Sequence, residues 1–156
     1  VVGAATGGIL GLVAITPAAG YVPLWSCFII GAVVSPLAFF MTSFVKHKIG
    51  YDDALDAFGC HGAGGIWGAI TTGLFSQKSI NPKVAHSGLV FGDMHLFIAQ
   101  LISIGITIAI AVVGTIVCAK IVSLFAPLRA SEEDEKQGLD ITQHGEHAYP
   151  AFNGLD

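Results

Sequence analysis

A single histidine, His61, lies within a long stretch that is otherwise apolar and carries no formal charge, residues 57–77. About 20 such residues let a helix cross a hydrocarbon core of about 30 Å. A helix that enters the membrane near Asp52 places His61 roughly 13 Å further in, close to the midplane. A neutral imidazole can accept a hydrogen bond at one ring nitrogen and donate one at the other. This residue type therefore suits a polar line or a proton relay across the membrane.

The helical neighbours of His61 are small and weakly polar. At helical spacing, the predicted shared face holds Gly64, Gly65, Gly68, Thr71 and Thr72. Such a face suits a narrow lumen, in which case His61 is a pore residue. It equally suits close contact with another helix, in which case His61 is a packing residue that is hydrogen-bonded to its neighbour. The residues alone leave both interpretations open.

The composition indicates what kind of protein holds this histidine. Hydrophobic residues make up 53% of the 156 residues, charged residues make up 12%, and the mean hydropathy is +0.72. These values are typical of an all-α polytopic membrane protein and not of a soluble domain. The chain begins within an apolar run, without an initiator methionine or a cleavage signal, which is typical of a piece of a longer protein.

Apolar runs and helix-breaking residues divide the chain into a membrane part, residues 1–128, and a cytosolic tail, residues 129–156. The predicted membrane spans are about 1–16, 24–45, 53–75 and 94–125. Four spans with one inward-facing histidine would leave polar surface facing lipid. We therefore expect further helices to complete the pathway.

The charges near residue 50 predict the orientation of the chain. The short basic loop Lys46–Lys48 is expected on the cytoplasmic side by the positive-inside rule. Asp52, Asp53 and Asp56 are expected in the first turns of the helix that carries His61, where carboxylates complement the positive helix N-terminus. We predict a capping role for Asp52 and Asp53. We expect Asp56 to face a cytoplasmic vestibule.

The net charge of −4 is distributed unevenly. Residues 1–128 carry five lysines and four aspartates, or +1, whereas residues 129–156 carry two basic and seven acidic side chains, or −5. An acidic exposed tail neither binds nucleic acid nor holds anionic lipid, so a protein partner or simple solvation remains.

Other potential ligands are scattered. Cys27, Cys60 and Cys118 fall in three separate apolar segments, which is typical of small buried residues rather than of a disulfide framework. His86 and His95 stand nine residues apart in and after a polar outer loop, with no cysteine or acidic cluster beside them. We expect them to be solvated loop and helix-end residues. No metal site and no cofactor are predicted.

Three sequence strings carry a resemblance to a known family. They are GLVAITPAAGYV at 11–22, DDALDAFGCHGAGGIWGAI at 52–70 and GLDITQHGEHAYP at 138–150. In this order and spacing the chain resembles the ammonium transporter family (Amt/Mep/Rh), specifically the last four of its eleven helices and the tail. The ITPA string favours the Amt/Mep branch.

The resemblance implies a fold built from inverted repeats and a homotrimer in which every subunit conducts ammonium nitrogen inward through its own narrow hydrophobic pore. His61 matches the second of the family's paired pore histidines. The first histidine, the aromatic gate and the outer recruitment residues belong to N-terminal helices that this sequence lacks. A transporter rather than an enzyme is implied, in the plasma membrane, with a cytoplasmic C-terminus.

The tail resembles the cytosolic region by which family members couple their three pores, docking on the neighbouring subunit. The matching residues are Gly138, Asp140, Thr142, His144, Gly145 and Tyr149. Thr142 matches a position whose phosphorylation closes transport in some eukaryotic members, and PII-type signalling proteins block others from the cytosol. His144 and His147 have a helical spacing, but tail docking is a better explanation for them than a metal site.

Three rival interpretations accompany this one. A channel for neutral gases of the Rh type would carry no current during ammonium uptake. A haem-binding membrane redox subunit would use His61 as an axial ligand, which usually needs a second inward histidine that the other spans do not offer. A sensor would use an ammonium-binding scaffold for signalling rather than for flux.

Overall fold

A computed structural model describes residues 2–147, apart from the side chain of Val2, and within this range every regular element is helical. The α-helices are α1 (Val2–Ile15), α2 (Leu24–Phe40), α3 (Lys46–Ile49), α4 (Gly64–Phe75), α5 (His95–Ser123), α6 (Glu132–Gln137) and α7 (Leu139–His144). Two π-helical turns, Met41–Val45 and Phe58–Ala63, join α2 to α3 and lead into α4. The sequence prediction of an all-α protein is confirmed for the described residues.

Helices α1 and α2 pack along a seam in which every fourth residue is buried. On α1 and the short 3-10 turn after it, the buried residues are Leu10, Ala14 and Ala18. On α2 they are Ser26, Ile30, Val34 and Ala38. Residues four apart form one ridge of a helix, so each ridge fits the groove of the other helix. Helix α4 packs against both and completes this core.

The second apolar helix extends further than its apolar composition predicts. We expected it to end at Val45, with a basic loop following. Instead, the π-helical turn and α3 continue it to Ile49, and the basic residues are helical. Gly50 ends the helix with φ +74°, and its N–H donates to the Lys46 carbonyl oxygen over 2.7 Å. Lysine tolerates helical backbone well, so its charge did not mark the end of the helix.

Among the described residues, two helical stretches are long and apolar enough to cross a membrane, Leu24–Ile49 and α5. Helix α5 has no buried residue, and its exposed apolar side chains include Ile98, Leu101 and Ile102. A helix that is apolar all round lies within a larger protein core or in lipid. The apolar surface of α5 therefore requires an apolar environment.

The chain divides into two compact units between Ala109 and Ile110, within α5. The predicted boundary at residue 128 marks the end of the apolar sequence, whereas the boundary within α5 reflects which residues contact one another. In the second unit, the Ser131 hydroxyl caps α6 by accepting from the Asp134 N–H over 3.1 Å. Gly138 follows α6 with φ +106°.

Candidate functional site

His61 lies on the π-helical turn Phe58–Ala63, and its side chain is exposed. This turn packs closely against the π-helical turn Met41–Val45, because a Cβ on Gly59 would lie only 2.5 Å from the Thr42 Cγ2. A π-helical turn is wider than an α-helical one and is frequent at functional sites. It changes the direction of His61 relative to α4, which continues the same helix.

The residues that were predicted to share one helix face with His61 do not all lie on the same side of the helix. Gly68 is a packing residue, since a Cβ there would lie 2.4 Å from the Ala14 carbonyl oxygen and 2.7 Å from the Pro17 Cγ. Gly64 is likewise buried, with the Val13 Cγ1 3.2 Å from such a Cβ. A Cβ on Gly65, in contrast, would have no atom from the rest of the described chain within 4 Å, apart from its own helix backbone and its two chain neighbours. His61 and Gly65 are thus open, while Gly64 and Gly68 contact α1 and the turn after it.

Thr71 and Thr72 belong to the packed part of α4. Both are buried, and both hydroxyls donate to the Gly68 carbonyl oxygen, over 2.9 Å and 2.8 Å respectively. The prediction counted a constant angle per residue from His61 onwards. The π-helical turn breaks that count, so Gly64, Gly68, Thr71 and Thr72 do not share the open side of His61. That His61 and Gly65 line a pathway stays a prediction.

The helix that carries His61 begins later than residue 53. Asp53 lies before it, and its carboxylate accepts hydrogen bonds from the N–H groups of Ala57 and Phe58, each over 2.9 Å. Asp56 adopts a left-handed conformation with φ +54°, and its carbonyl oxygen accepts from the Cys60 N–H over 2.9 Å. A left-handed residue cannot continue an α-helix, which is why the helix does not extend back to Asp52.

One ion pair connects the first residue of α3 to this helix start. The Lys46 Nζ donates to the Asp56 Oδ1 over 2.7 Å and also to the Asp53 carbonyl oxygen. Asp56 borders a cavity of about 270 Å³, whose other polar lining includes Thr6, Ser35 and Thr42. The carboxylate predicted to face a vestibule therefore borders a cavity, and Lys46 holds it in place.

The opposite end of α4 is fixed by backbone contacts. A Cβ on Gly73 would lie 2.9 Å from the Phe97 Cα, so α5 begins in direct contact with α4. The Gln77 N–H donates to the Tyr21 carbonyl oxygen over 2.9 Å, and the Gly88 N–H donates to the Ser76 carbonyl oxygen over 2.7 Å.

A second cavity, of about 350 Å³, lies beside this end of α4, with Tyr21, Thr72, Ser76 and Gln100 among its lining residues. The Ser76 hydroxyl is buried and has no hydrogen-bond partner among the described residues. The sequence analysis did not single out Ser76.

The structure also brings together two histidines that the sequence analysis expected to be solvated loop and helix-end residues. His86 and His95 both lie beside Asp93, with the Nδ1 of His86 2.9 Å from the Asp93 Oδ2 and the Nδ1 of His95 2.8 Å from its Oδ1. The His95 backbone N–H donates to the same Oδ1 over 3.0 Å. The hydrogen bonds from the His95 backbone and side chain, and then from the His86 side chain, hold the pKa of the Asp93 carboxyl well below its usual range. The sequence feature that could have predicted this cluster is the Asp-x-His spacing of Asp93 and His95 at the start of α5.

The predicted tail residues occupy two short helices and the turns around them. The Thr142 hydroxyl donates to the Gly138 carbonyl oxygen over 3.0 Å, and the Glu146 N–H donates to the Asp140 carbonyl oxygen over 3.0 Å. Gly145 has φ +68° and ends α7 directly after the exposed His144. The sixth residue, Tyr149, lies outside the described residues.

These features define an all-α membrane protein with one polar side chain on the open side of an apolar helix. A profile of the Ammonium Transporter Family matches residues 1–149, and the chain belongs to this family. The resemblance stated from the sequence strings is thereby confirmed. The matched proteins are transporters rather than enzymes.

Individual relatives support the same family assignment. The chain is 52% identical over 147 residues to an ammonium transporter of Bacillus subtilis (strain 168), covering 94% of this chain and 36% of that protein. It is 44% identical over 149 residues to an ammonium transporter of Aquifex aeolicus (strain VF5), covering 96% and 34%. The crystal structure of Saccharomyces cerevisiae Mep2 superposes with a TM-score of 0.73 at 31% identity, covering 96% of this chain and 34% of that one. The chain thus spans about a third of the length of these relatives.

Proposed function

We propose that this chain forms part of an ammonium transporter and that His61 lines its conducting pathway. The observation that carries the proposal is the open position of the His61 imidazole on an otherwise apolar helix, in a chain that belongs to the ammonium transporter family. An ionisable side chain at membrane depth that faced lipid would be costly, so the open side of His61 is a natural wall for a polar pathway.

The imidazole suits the chemistry of ammonium. A bare ammonium ion in a low-dielectric passage loses its hydration at a large free-energy cost. A pathway that passes neutral ammonia, and handles the proton separately, avoids most of that cost. An uncharged imidazole can accept or donate a hydrogen bond without repelling a cation. His61 and a second histidine from an N-terminal helix would form the proposed pair.

Gly65 completes the proposed wall within this chain. It lies four residues after His61 and has open space where a side chain would be. A glycine at this position leaves room for a small solute one helical turn from the imidazole. We infer that the passage next to His61 is narrow and mostly apolar, which favours a small neutral solute over hydrated ions.

Further helices and lipid would cover the rest of the surface. Phe28 on α2 and Leu24 at its start remain 76% and 78% exposed in this chain, and α5 has no buried residue. Such apolar surface is covered either by lipid or by helices of the same or a neighbouring subunit. The proposed partners are the N-terminal helices of the same protein and two further copies in a homotrimer in the plasma membrane.

The Lys46, Asp53 and Asp56 cluster marks the proposed cytoplasmic end of the pathway. Basic residues near membrane helices favour the cytoplasmic side, and the nearby cavity has hydroxyl and carboxylate groups on its wall. A carboxylate here would attract a departing cation. With this orientation the loop 76–94 faces outward and the tail lies in the cytoplasm.

The tail would regulate transport. Its two short helices are fixed by local hydrogen bonds, and the half-buried Thr142 hydroxyl donates to the Gly138 carbonyl oxygen. A phosphate on Thr142 would remove this donor and add negative charge next to Asp140, which would disturb the turn. We propose that the tail docks on a neighbouring subunit, and that a PII-type protein is a further candidate partner.

The test is His61→Ala in the complete protein, reconstituted in vesicles. We expect ammonium-driven currents to be lost or the selectivity against K⁺ to change strongly. His47→Ala, which removes another exposed histidine of the same chain, is the matched control and should transport normally. Unchanged ammonium currents and selectivity in His61→Ala would refute the assignment. Ammonium uptake without current in the unaltered protein would instead indicate a channel for neutral gas.

A further inference from the structure

We propose that His86, Asp93 and His95 form a binding site for a divalent transition metal ion of the Zn²⁺ type. The potential ligand atoms of these three residues all lie within 4.8 Å of one another. The cluster lies at the end of α4 away from Lys46 and Asp56, and it is separate from the proposed pathway wall at His61.

The donor set selects the class of metal. Two imidazole nitrogens and one carboxylate oxygen suit Zn²⁺, Ni²⁺ or Cu²⁺, whereas Mg²⁺ and Ca²⁺ prefer oxygen ligands. Three protein ligands leave at least one coordination position for water or another ligand. The expected ion is therefore a borderline transition metal with an open position.

The geometry is close to that of a bound ion. A tetrahedral Zn²⁺ with bonds of about 2.1 Å holds its ligand atoms ~3.4 Å apart. The Nδ1 atoms of His86 and His95 already lie 2.9 Å and 2.8 Å from the oxygens of Asp93. An ion bound here would replace these two hydrogen bonds, because each ring would then carry its single proton on Nε2 and present its Nδ1 lone pair to the metal. The two rings stack with centroids 4.8 Å apart and an interplanar angle of 25°, so they approach Asp93 from neighbouring directions.

Backbone contacts fix the chain two residues after each of the two histidines. Gly88, two residues after His86, approaches α4 so closely that a Cβ on it would lie 2.3 Å from the Leu74 carbonyl oxygen. Phe97, two residues after His95, contacts Gly73 of the same helix. The backbone beside both histidines is therefore held against α4. This lowers the conformational-entropy cost of binding a metal ion.

The test is a zinc titration of the complete protein, purified without a histidine tag and followed by calorimetry. We expect saturable binding of one Zn²⁺ per chain at this site, and an increase in Tm on adding ZnCl₂ because the ion binds the folded state. His86→Gln and His95→Gln should each weaken the affinity by roughly tenfold or more, since even residues that only support metal ligands have effects of this size. Co²⁺ added instead of Zn²⁺ should give a visible absorption band that both variants lose.

His47→Gln is the matched control, because it removes an exposed histidine outside the cluster and should leave the affinity unchanged. Asp93→Asn also removes the negative charge from the acceptor of the His95 N–H and can destabilise the start of α5, so the two histidine variants decide the outcome. Equal Zn²⁺ affinity in the unaltered protein and the His86→Gln/His95→Gln double variant would overturn the proposal, as would the absence of saturable binding. Because the measured quantity is metal binding, failure here leaves the ammonium pathway untouched, and loss of transport in His61→Ala leaves this site untouched.

Discussion

The two sides of the helix that runs from Phe58 to Phe75 carry the same kinds of residue and use them differently. On the packed side, Gly68 lets the Ala14 carbonyl oxygen and Pro17 approach the helix backbone. On the open side, a Cβ on Gly65 would meet no atom of another element within 4 Å, and His61 is exposed. A glycine in a membrane helix therefore indicates either close helix contact or free space, and its position relative to the neighbours decides which.

The largest expected effect comes from adding one methyl group to the packed side. Gly68→Ala places a Cβ within 2.4 Å of the Ala14 carbonyl oxygen, so α1 and α4 must move apart. Overpacking of this kind costs about 1–3 kcal/mol or more. We expect a large decrease in Tm, or loss of folded protein, in detergent-purified complete transporter.

Gly65→Ala is the matched control for this prediction. The same methyl group enters open space, and a helical Gly→Ala change is neutral or stabilises the helix by up to about 1 kcal/mol. Similar losses of Tm in both variants would remove the distinction between the two sides.

A bulkier residue on the open side tests whether that space conducts. Gly65→Leu should leave the packing of α4 on α1 and α2 intact, because no atom of those helices lies within 4 Å of a Cβ at this position, yet fill the space next to His61. We expect ammonium transport to fall by about tenfold or more, as for a hydrophobic constriction in a pore. The measurement is uptake into vesicles per folded protein, with Gly65→Ala for comparison. Normal transport by Gly65→Leu would mean that the open side does not line the pathway.

The smallest expected effect concerns a single hydrogen bond on the packed side. The Trp67 Nε1 donates to the Ile30 carbonyl oxygen over 3.1 Å and links α4 to α2. Trp67→Phe removes this bond and should lower the free energy of unfolding by about 0.5–1.5 kcal/mol, with transport unchanged. Thermal unfolding and vesicle uptake, measured on the same preparation, check both parts. A transport defect without a change in Tm would place Trp67 in the pathway instead.

The two ends of the helix from Phe58 to Phe75 are held in place by different kinds of interaction. One end is held by charge, through Lys46, Asp53 and Asp56, and the other by backbone contacts at Gly73 and Gly88. The capping role predicted for Asp53 follows from its position ahead of a helix, and its carboxylate does accept two backbone N–H groups. The left-handed conformation of Asp56 has no sequence signature comparable to glycine, so the prediction started the helix too early.

The class and the family of this protein can be recognised in its amino-acid sequence. Apolar composition, charge-free runs and three long strings are local properties of the chain, and they identify a helical membrane protein and His61 as its candidate site without any knowledge of packing. The folded chain was needed to show which glycines contact other helices, that a wider turn separates His61 from Gly68, and that His86 and His95 meet at Asp93. The physical reason is that these features depend on contacts between residues far apart in the chain, or on a local change in helical pitch that those contacts stabilise, whereas a periodic sequence pattern assumes one constant pitch.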